Sequence, residues 1–234
     1  MALNCPPDGP SGDDTEEIYD EYDIEVSSET PAIRNSKIDF LLEGLLKIGL
    51  GEEGAAEFEN WWHKTIRICF AKGLRNVELK PNKNAKLRRD VVATNLGEGD
   101  AWRRIYEDYD TRQVVFEIKN KDSLAAADYQ QIRSYLTGEY GRLGFVVNRS
   151  ETEDLYRDKD VEWVREMYAT HKVLIIKLTG RFLSKQLRKL RNPQKHDAVD
   201  NSIHRLLDTY TRLYVAGEPK PRGSKRRRRM RRRR

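Results

Sequence analysis

Apolar residues recur every three or four positions in several stretches of the chain, a spacing that predicts amphipathic helices. In the first stretch Ile38, Leu41, Leu42 and Leu45 share one helical face. Glycine follows the first two stretches, as is common where a helix ends. The pattern predicts helices over Lys37 to Leu50, Glu53 to Lys72, Ala125 to Leu136, Val161 to His171, Arg181 to Arg191 and Ala198 to Val215.

Short runs rich in β-branched and other apolar residues predict strands between these helices. The strands are expected over Asn76 to Lys80, Arg89 to Thr94, Gln113 to Lys119, Leu143 to Val147 and Val173 to Leu178. The polar stretch from Asn95 to Thr111 contains Gly97 and Gly99, and we expect a long hairpin excursion there. Three meandering strands followed by a β-α-β crossover predict an α/β fold. Its mixed β-sheet core is flanked by helices, with extra helices at the N- and C-terminal ends.

Charge divides the 234 residues into three parts. Residues 1–33 hold ten acidic side chains and no Lys or Arg, and this composition predicts a disordered acidic tail. Residues 217–234 contain nine basic side chains from Lys225 onward and predict a flexible polybasic tail. Without these ten negative and nine positive charges, the net charge of +6 becomes +7 for the residues that remain, 34–224, which include the domain predicted over 34–216. A basic body suits a nucleic-acid partner.

Several functional classes are excluded by what the sequence lacks. No run of 18 apolar residues is present, so no membrane partner is expected, and no secretory signal is visible. The two cysteines form neither a disulfide framework nor a zinc motif. Nucleophile motifs and Gly-rich phosphate loops are also missing. We therefore expect a cytoplasmic, nucleoid-associated protein, or a nuclear one if the host is eukaryotic, where the basic tail would serve as a localisation signal.

The most informative polar residues lie at the ends of two predicted neighbouring strands. Asp90 enters an apolar strand, and Glu117 and Lys119 lie two residues apart on the next one, so their side chains share a sheet face. Neighbouring strands lie about 4.8 Å apart, which lets both carboxylates approach one divalent cation. A charged pair in an otherwise apolar strand needs a partner or a cation to offset its desolvation. A surface ion pair between Glu117 and Lys119 is the alternative interpretation.

This arrangement resembles the PD-(D/E)XK nuclease superfamily, the restriction-endonuclease-like fold, and in particular its RecB- and Mrr-like branches. The matching residues are Asp90 and Glu117-Ile118-Lys119, followed by a helix that carries Gln131. Gln130 is the alternative in register. The stretch Gly54 to Glu59 is similar to the acidic element of the first core helix, with Glu59 preferred over Glu57. The resemblance covers roughly residues 53–178. One departure is that Arg89, rather than proline, precedes Asp90.

The resemblance implies a metal-dependent nuclease that hydrolyses phosphodiester bonds of nucleic acid, with DNA favoured, through Mg²⁺ or Mn²⁺. Asp90, Glu117 and the backbone carbonyl of Ile118 would hold the cation, and Glu59 would complete its surroundings. Lys119 would position the attacking water and stabilise the transition state. Gln131 would orient Lys119 or the phosphate.

Other interpretations remain open at this stage. The chain could be a catalytically inactive nuclease-fold module that binds nucleic acid or a partner protein, or an RNA endonuclease. His63 is a second candidate Mn²⁺ ligand, although a histidine on the helix surface is the preferred interpretation. Trp102 packs in the core or in a loop in the preferred interpretation, and stacking on a base is the alternative. The first and last helices either pack on the domain or form a homodimer seam, because many nucleases of this fold act as dimers.

Overall fold

The computed structural model describes residues 30–81, 89–158 and 160–217. The predicted acidic tail therefore lies almost wholly outside the described residues, and so does the basic tail. Helix α1 covers Pro31–Lys47, so it begins within the last residues assigned to the acidic tail. Its early start has a local cause: Thr30 is extended and Pro31 takes a first-turn position, where its missing N–H is not needed.

The sheet has five strands in the order in which they occur along the chain. Antiparallel pairing joins the first three strands, and parallel pairing joins the last three. This is the α/β fold with a mixed sheet that the sequence predicts. The strands are β1 (Leu74–Leu79), β2 (Val91–Asn95), β3 (Gln113–Ile118), β4 (Leu143–Asn148) and β5 (Leu174–Thr179).

Helices cover both faces of the sheet. After α1, the longer helices are α2 (Ala55–Cys69), α3 (Asp100–Tyr109), α4 (Ala126–Tyr135), α6 (Val161–His171), α7 (Gly180–Leu190) and α8 (Asp197–Thr209). Short helical segments are α5 (Leu155–Asp158), two 3₁₀ turns (Gly138–Tyr140 and Pro193–Lys195) and a π-helical continuation of α8 (Tyr210–Val215). No described helix has the length and apolar character needed to cross a membrane.

The two faces can be told apart by their side chains. On one face the rings of Phe116 and Phe145 stack with centroids 5.0 Å apart, and Trp102 of α3 packs beside Phe145. On the other face Gly144 lies against Ile132 of α4, because a glycine there leaves room for the helix to approach. Helices α4 and α6 thus cover β4 and β5 on that second face, and its remaining part, over β2 and β3, carries the polar residues described below.

The two outer strands differ from the inner ones in their polar contacts. The pairing of β1 with β2 shifts register between Arg75 and Glu78, and Asn76 in this bulge has a positive φ of 47°. On β5 the backbone N–H of Lys177 donates to the Tyr210 hydroxyl at 2.7 Å. The Lys177 ammonium is fully buried and pairs with Asp160 at 3.1 Å. Tyr210 of the C-terminal π-helical segment and Asp160, which directly precedes α6, therefore complete the β5 side of the sheet.

The stretch between β2 and β3 does join two antiparallel strands, as the predicted hairpin excursion requires, but it forms helix α3, which was not predicted. Its apolar residues Ala101, Trp102, Ile105 and Tyr109 are all buried and fall at helical spacing. Gly99 precedes the helix with a φ of 79°, and the Asp200 carboxylate accepts a hydrogen bond from the N–H of Ala101. A distant side chain thus completes the start of a helix whose sequence is otherwise polar.

The first and last of the predicted helices both pack on the domain. Leu41 is buried, Leu42 and Leu45 pack against the core, and Ile203 and Leu207 of α8 are buried. Phe40 and Leu46 are exposed. The packing of these residues within the domain does not require a second copy, so a homodimer stays a prediction.

We expect Gly73→Ala to destabilise the fold. A Cβ atom at this position would meet the buried Trp102 ring at 2.0 Å, and the ring is held between Phe70 and Phe145. Overpacking of this kind costs about 2 kcal/mol. Urea unfolding would measure the loss, with Gly49→Ala as the control, because nothing lies within 4 Å of a Cβ there. Equal stability of the two variants would contradict the packing described for Trp102.

Candidate active site

Strand register brings Asp90 and Glu117 to the same place on the open part of the second face. Val91 pairs with Phe116 across the antiparallel strands β2 and β3, so the residue before Val91 faces the residue after Phe116. Val92 and Val115 lie on this face in a small cluster with Tyr135, whereas Val91 and Phe116 belong to the main core. The alternation of side chains along a strand then puts both acids on the face of Val92 and Val115.

Glu117 is a fully buried carboxylate with one satisfied oxygen. Its Oε1 accepts a hydrogen bond from the Lys119 ammonium at 2.7 Å. Its Oε2 has no hydrogen-bond partner among the described residues, although it is buried. Burial, followed by the nearby charge of Asp90, raises the pKa of Glu117 from 4.5 to about 7. A buried acceptor without a donor is costly unless a cation or a proton approaches it.

Lys119 links Glu117 to helix α4. Its backbone N–H donates to the Val147 carbonyl at 2.9 Å, which continues the parallel pairing of β3 with β4 and fixes the start of the side chain. The ammonium also donates to Gln131 Oε1 at 3.1 Å, and Gln131 Nε2 donates to the Tyr135 hydroxyl at 2.9 Å. Gln131 and Tyr135 lie four residues apart on one helical face. Burial alone would lower the pKa of the Lys119 ammonium. The hydrogen bond to Glu117 and the charge of Glu117 raise it by more, so the pKa of Lys119 is raised overall.

Asp90 is tied to the backbone of β3. One carboxylate oxygen accepts from the N–H of Ile118 at 2.7 Å, which is close to the end of the antiparallel pairing. Burial raises the pKa of the Asp90 carboxyl, the Ile118 hydrogen bond opposes that shift, and the charge of Glu59 adds to it. Glu59 of α2 therefore contributes to the same electrostatic cluster as Asp90.

Lys80 is a member of this cluster that the sequence did not reveal. Its ammonium forms an ion pair with Glu59, and its charge also lowers the pKa of Asp90. Its backbone has a positive φ of 51°, and its N–H donates to the Asp90 carbonyl at 2.8 Å. Lys80 follows β1, so only the pairing of β1 with β2 brings it near Asp90. A lysine at the end of a strand gives no signal of this in sequence.

The structure separates the preferred site residues from their alternatives. Glu59, Asp90, Glu117, Lys119 and Gln131 are brought together, and the N–H of Ile118 joins them through Asp90. The role of the Ile118 carbonyl as a ligand stays a prediction. Glu57 and Gln130 are exposed, outside the hydrogen bonds that hold the cluster.

The structure contradicts the preferred interpretation of His63 and confirms the one preferred for Trp102. The preferred reading of His63 as a helix-surface residue is wrong, because His63 is buried and one ring nitrogen lies 2.8 Å from the Val77 carbonyl. That contact fits a structural histidine rather than a Mn²⁺ ligand. Trp102 is 2% exposed inside the core, so it is not available to stack on a base.

The donor atoms of this site are of the kind that a divalent cation prefers, but they do not form a complete group of ligands among the described residues. Carboxylate oxygens are the ligands that Mg²⁺ prefers, and the buried Glu117 Oε2 has no donor among the described residues. However, within residues 30–81, 89–158 and 160–217 no group of three or more His, Cys, Asp and Glu side chains is arranged to hold a metal ion. The donors that remain for a cation are the carboxylates of Asp90 and Glu117 and the backbone around them. Glu59 forms an ion pair with Lys80 instead.

Comparison with known proteins gives one informative similarity. The chain is 48% identical over 216 residues to an Escherichia coli (strain K12) protein described as "Putative transposon gamma-delta 80.3 kDa protein". The match covers 92% of this chain and 31% of that protein, so the chain spans about a third of the length of its relative. No protein-family model and no solved structure matches the chain.

Proposed function

We propose that this chain is a metal-dependent nuclease of the PD-(D/E)XK type, with a restriction-endonuclease-like core, that hydrolyses phosphodiester bonds of DNA. The observation that carries the proposal is the buried cluster on β2 and β3. There Glu117 has one oxygen held by Lys119 and one without a donor among the described residues, and Asp90 faces it from the neighbouring strand. An ordinary surface ion pair would be solvated, whereas Glu117 is fully buried.

The residues divide the chemistry between them. Asp90 and Glu117 would hold Mg²⁺ or Mn²⁺, with the Ile118 carbonyl, and with Glu59 completing the surroundings through water. When bound, the cation supplies Lewis-acid stabilisation of the phosphate and lowers the pKa of a bound water. The Lys119 ammonium orients the attacking water and stabilises the negative charge that develops on the phosphate oxygens. Gln131 holds Lys119 in place through the hydrogen bond observed at 3.1 Å.

DNA is preferred over RNA as the substrate for two reasons. The relative that matches this chain has transposon in its printed description, and mobile DNA must be cut to move. Residues 34–224, which remain once the acidic and basic ends of the sequence are set aside, also have a net charge of +7, which suits a polyanion. An RNA endonuclease would use the same residues, so the substrate is separated by assay rather than by the site.

The test is a cleavage assay of the purified full chain with plasmid, single-stranded DNA and RNA, each with Mg²⁺, with Mn²⁺ and with EDTA. We expect cleavage of DNA that requires a divalent cation and stops in EDTA. Cleavage of RNA alone would assign the RNA endonuclease alternative. Absence of cleavage of every substrate, or cleavage that persists in EDTA, would contradict the proposal.

The same cation should stabilise the fold, because it binds the native site and not the unfolded chain. At a concentration ten times its dissociation constant the gain is about 1.4 kcal/mol. Thermal unfolding with and without Mn²⁺ measures this gain, and the Asp90→Asn variant serves as the control that should lose it. An equal shift in both proteins would place the ion elsewhere.

A second candidate is a nuclease-fold module that binds nucleic acid without cutting it. The observation that favours it is the absence of a three-ligand group among the described residues, since Glu59 and Glu117 each face a lysine instead. This module would bind DNA equally in EDTA and in Mg²⁺, and it would show no metal-dependent rise in melting temperature.

A further inference from the structure

Arg89 occupies the position directly before Asp90 and has an unusual environment. Its guanidinium lies over two tyrosine rings, 4.1 Å from the Tyr140 centroid and 5.4 Å from the Tyr135 centroid. Its Nε is buried without a hydrogen bond. Within the part of the chain that the structure describes, the guanidinium has neither an ion pair nor a hydrogen bond, and its contacts are the two rings.

This environment differs from that of the other two cations near the site. Lys119 is bonded to Glu117, and Lys80 is paired with Glu59. Arg89 has no carboxylate partner among the residues that the structure describes, and it is half-buried. A cation taken partly out of water without an anion is unfavourable, because aromatic faces replace only part of the lost hydration. The pocket is therefore built to hold a positive charge that is not yet neutralised.

One ring contact and two hydrogen bonds connect Arg89 to Lys119 of the carboxylate cluster. The Tyr135 ring that holds the guanidinium carries a hydroxyl that accepts from Gln131, and Gln131 accepts from Lys119. The Tyr135 hydroxyl is also close enough to Glu117 and Asp90 for their charges to raise its pKa, after the larger effect of burial. An anion bound to Arg89 would thus lie beside the residues proposed to carry out hydrolysis.

We infer that Arg89, held between Tyr135 and Tyr140, binds a backbone phosphate of the nucleic-acid substrate next to the reacting phosphodiester. The inference rests on the proposed function for the class of substrate. Two of the three carboxylates at this site are already paired with Lys80 and Lys119, so neither lysine is free to hold a polyanion. Arg89, which has no carboxylate partner among the described residues, supplies a cation for that purpose. The guanidinium presents a planar set of donors that matches two phosphate oxygens, and the tyrosine rings keep that plane in one orientation.

The test measures binding of a short fluorescent DNA duplex as a function of salt, with Ca²⁺ in place of Mg²⁺. Loss of one phosphate contact reduces the slope of log affinity against log salt by about 0.9. We expect Arg89→Met to show this smaller slope and roughly tenfold weaker binding at about 0.1 M salt. Arg89→Lys should keep the slope, because it keeps the charge, and bind with intermediate affinity.

The matched control is Arg75→Met, which removes the same charge from an exposed position at the opposite end of the sheet. It should leave the slope unchanged. Arg89→Met should melt no lower than the wild type, since it removes a half-buried cation that has no anion among the described residues. If it does not fold, Arg89→Gln gives the same comparison. An unchanged slope in the Arg89 variants, the same decrease in Arg75→Met, or no duplex binding by the wild type would overturn the inference.

Cleavage followed in parallel samples containing Mg²⁺ separates this inference from the proposed function. A duplex that is bound with the expected slopes but never cut would refute the nuclease proposal and leave the phosphate site standing. If the duplex is cut but the slopes of the wild type and Arg89→Met are equal, the nuclease proposal stands and the phosphate site at Arg89 is refuted.

Discussion

Lys119→Met is expected to lower the rate of metal-dependent DNA cleavage by about 10³-fold, because one oriented charge that stabilises the transition state contributes roughly 10²–10³ and proton transfer adds to it. The substitution keeps the length and the packing of the side chain. It removes the ammonium that lies 2.7 Å from Glu117 and 3.1 Å from Gln131. Single-turnover cleavage with saturating protein would measure the chemical step.

Lys72→Met is the matched control for this experiment. Lys72 is exposed and precedes β1 at the other end of the sheet, where its ammonium lies 3.4 Å from Asp197. Its removal should leave the cleavage rate within about twofold of the wild type, because exposed ion pairs contribute little. Cleavage by Lys119→Met at the wild-type rate would show that hydrolysis takes place without this ammonium.

Glu117→Gln is expected to stabilise the protein above neutral pH by about 3 kcal/mol, while it removes cleavage. The pKa of the Glu117 carboxyl rises from 4.5 to about 7 in the fold, through burial first and then the charge of Asp90. Each unit of pKa difference corresponds to about 1.4 kcal/mol. Below about pH 4.5 the carboxyl is protonated in both states, so its contribution to stability is fully present. That contribution is lost as the pH rises through about 7, because the buried group must then carry a charge.

The difference in unfolding free energy between Glu117→Gln and the wild type should therefore grow from near zero at about pH 4 to its full value at about pH 8. Urea unfolding in EDTA across this range measures it. Glu78→Gln on the exposed side of β1 is the control, because it removes the same charge from an exposed side chain, and it should leave the stability close to that of the wild type. A difference that does not change with pH would mean that the Glu117 carboxyl titrates normally.

The sequence predicted the part of the fold that follows from periodic patterns. All five predicted strands form close to their predicted bounds, and Val161–His171 forms the helix predicted for it. Helix α3 was missed because its mean polarity and Gly97 and Gly99 outweighed the spacing of Trp102 and Ile105, which could have revealed it. Its N-terminus is completed by Asp200, a residue about a hundred positions away that no local pattern connects to it.

The candidate site could be predicted where two residues share a strand or directly adjacent strands. Glu117 and Lys119 follow from the alternation of one strand, and Asp90 follows from its place at the start of the neighbouring strand. Lys80 could not be found in this way, because its approach to Glu59 depends on where β1 ends. The setting of Arg89 depends on a helix and a turn that lie about fifty residues further along the chain, so the missing proline before Asp90 gave no indication of a role.

The outer strands of the sheet restrict how two copies of this domain could come together. The bulge at Asn76 interrupts the hydrogen-bonding groups of β1, and the Tyr210 hydroxyl occupies the N–H of Lys177 on β5. Neither border is suited to continuing the sheet into another molecule. If both strands of a duplex are cut by a pair of these domains, the pair must associate through helices or through the DNA itself, and each reaction centre would then remain complete in a single copy.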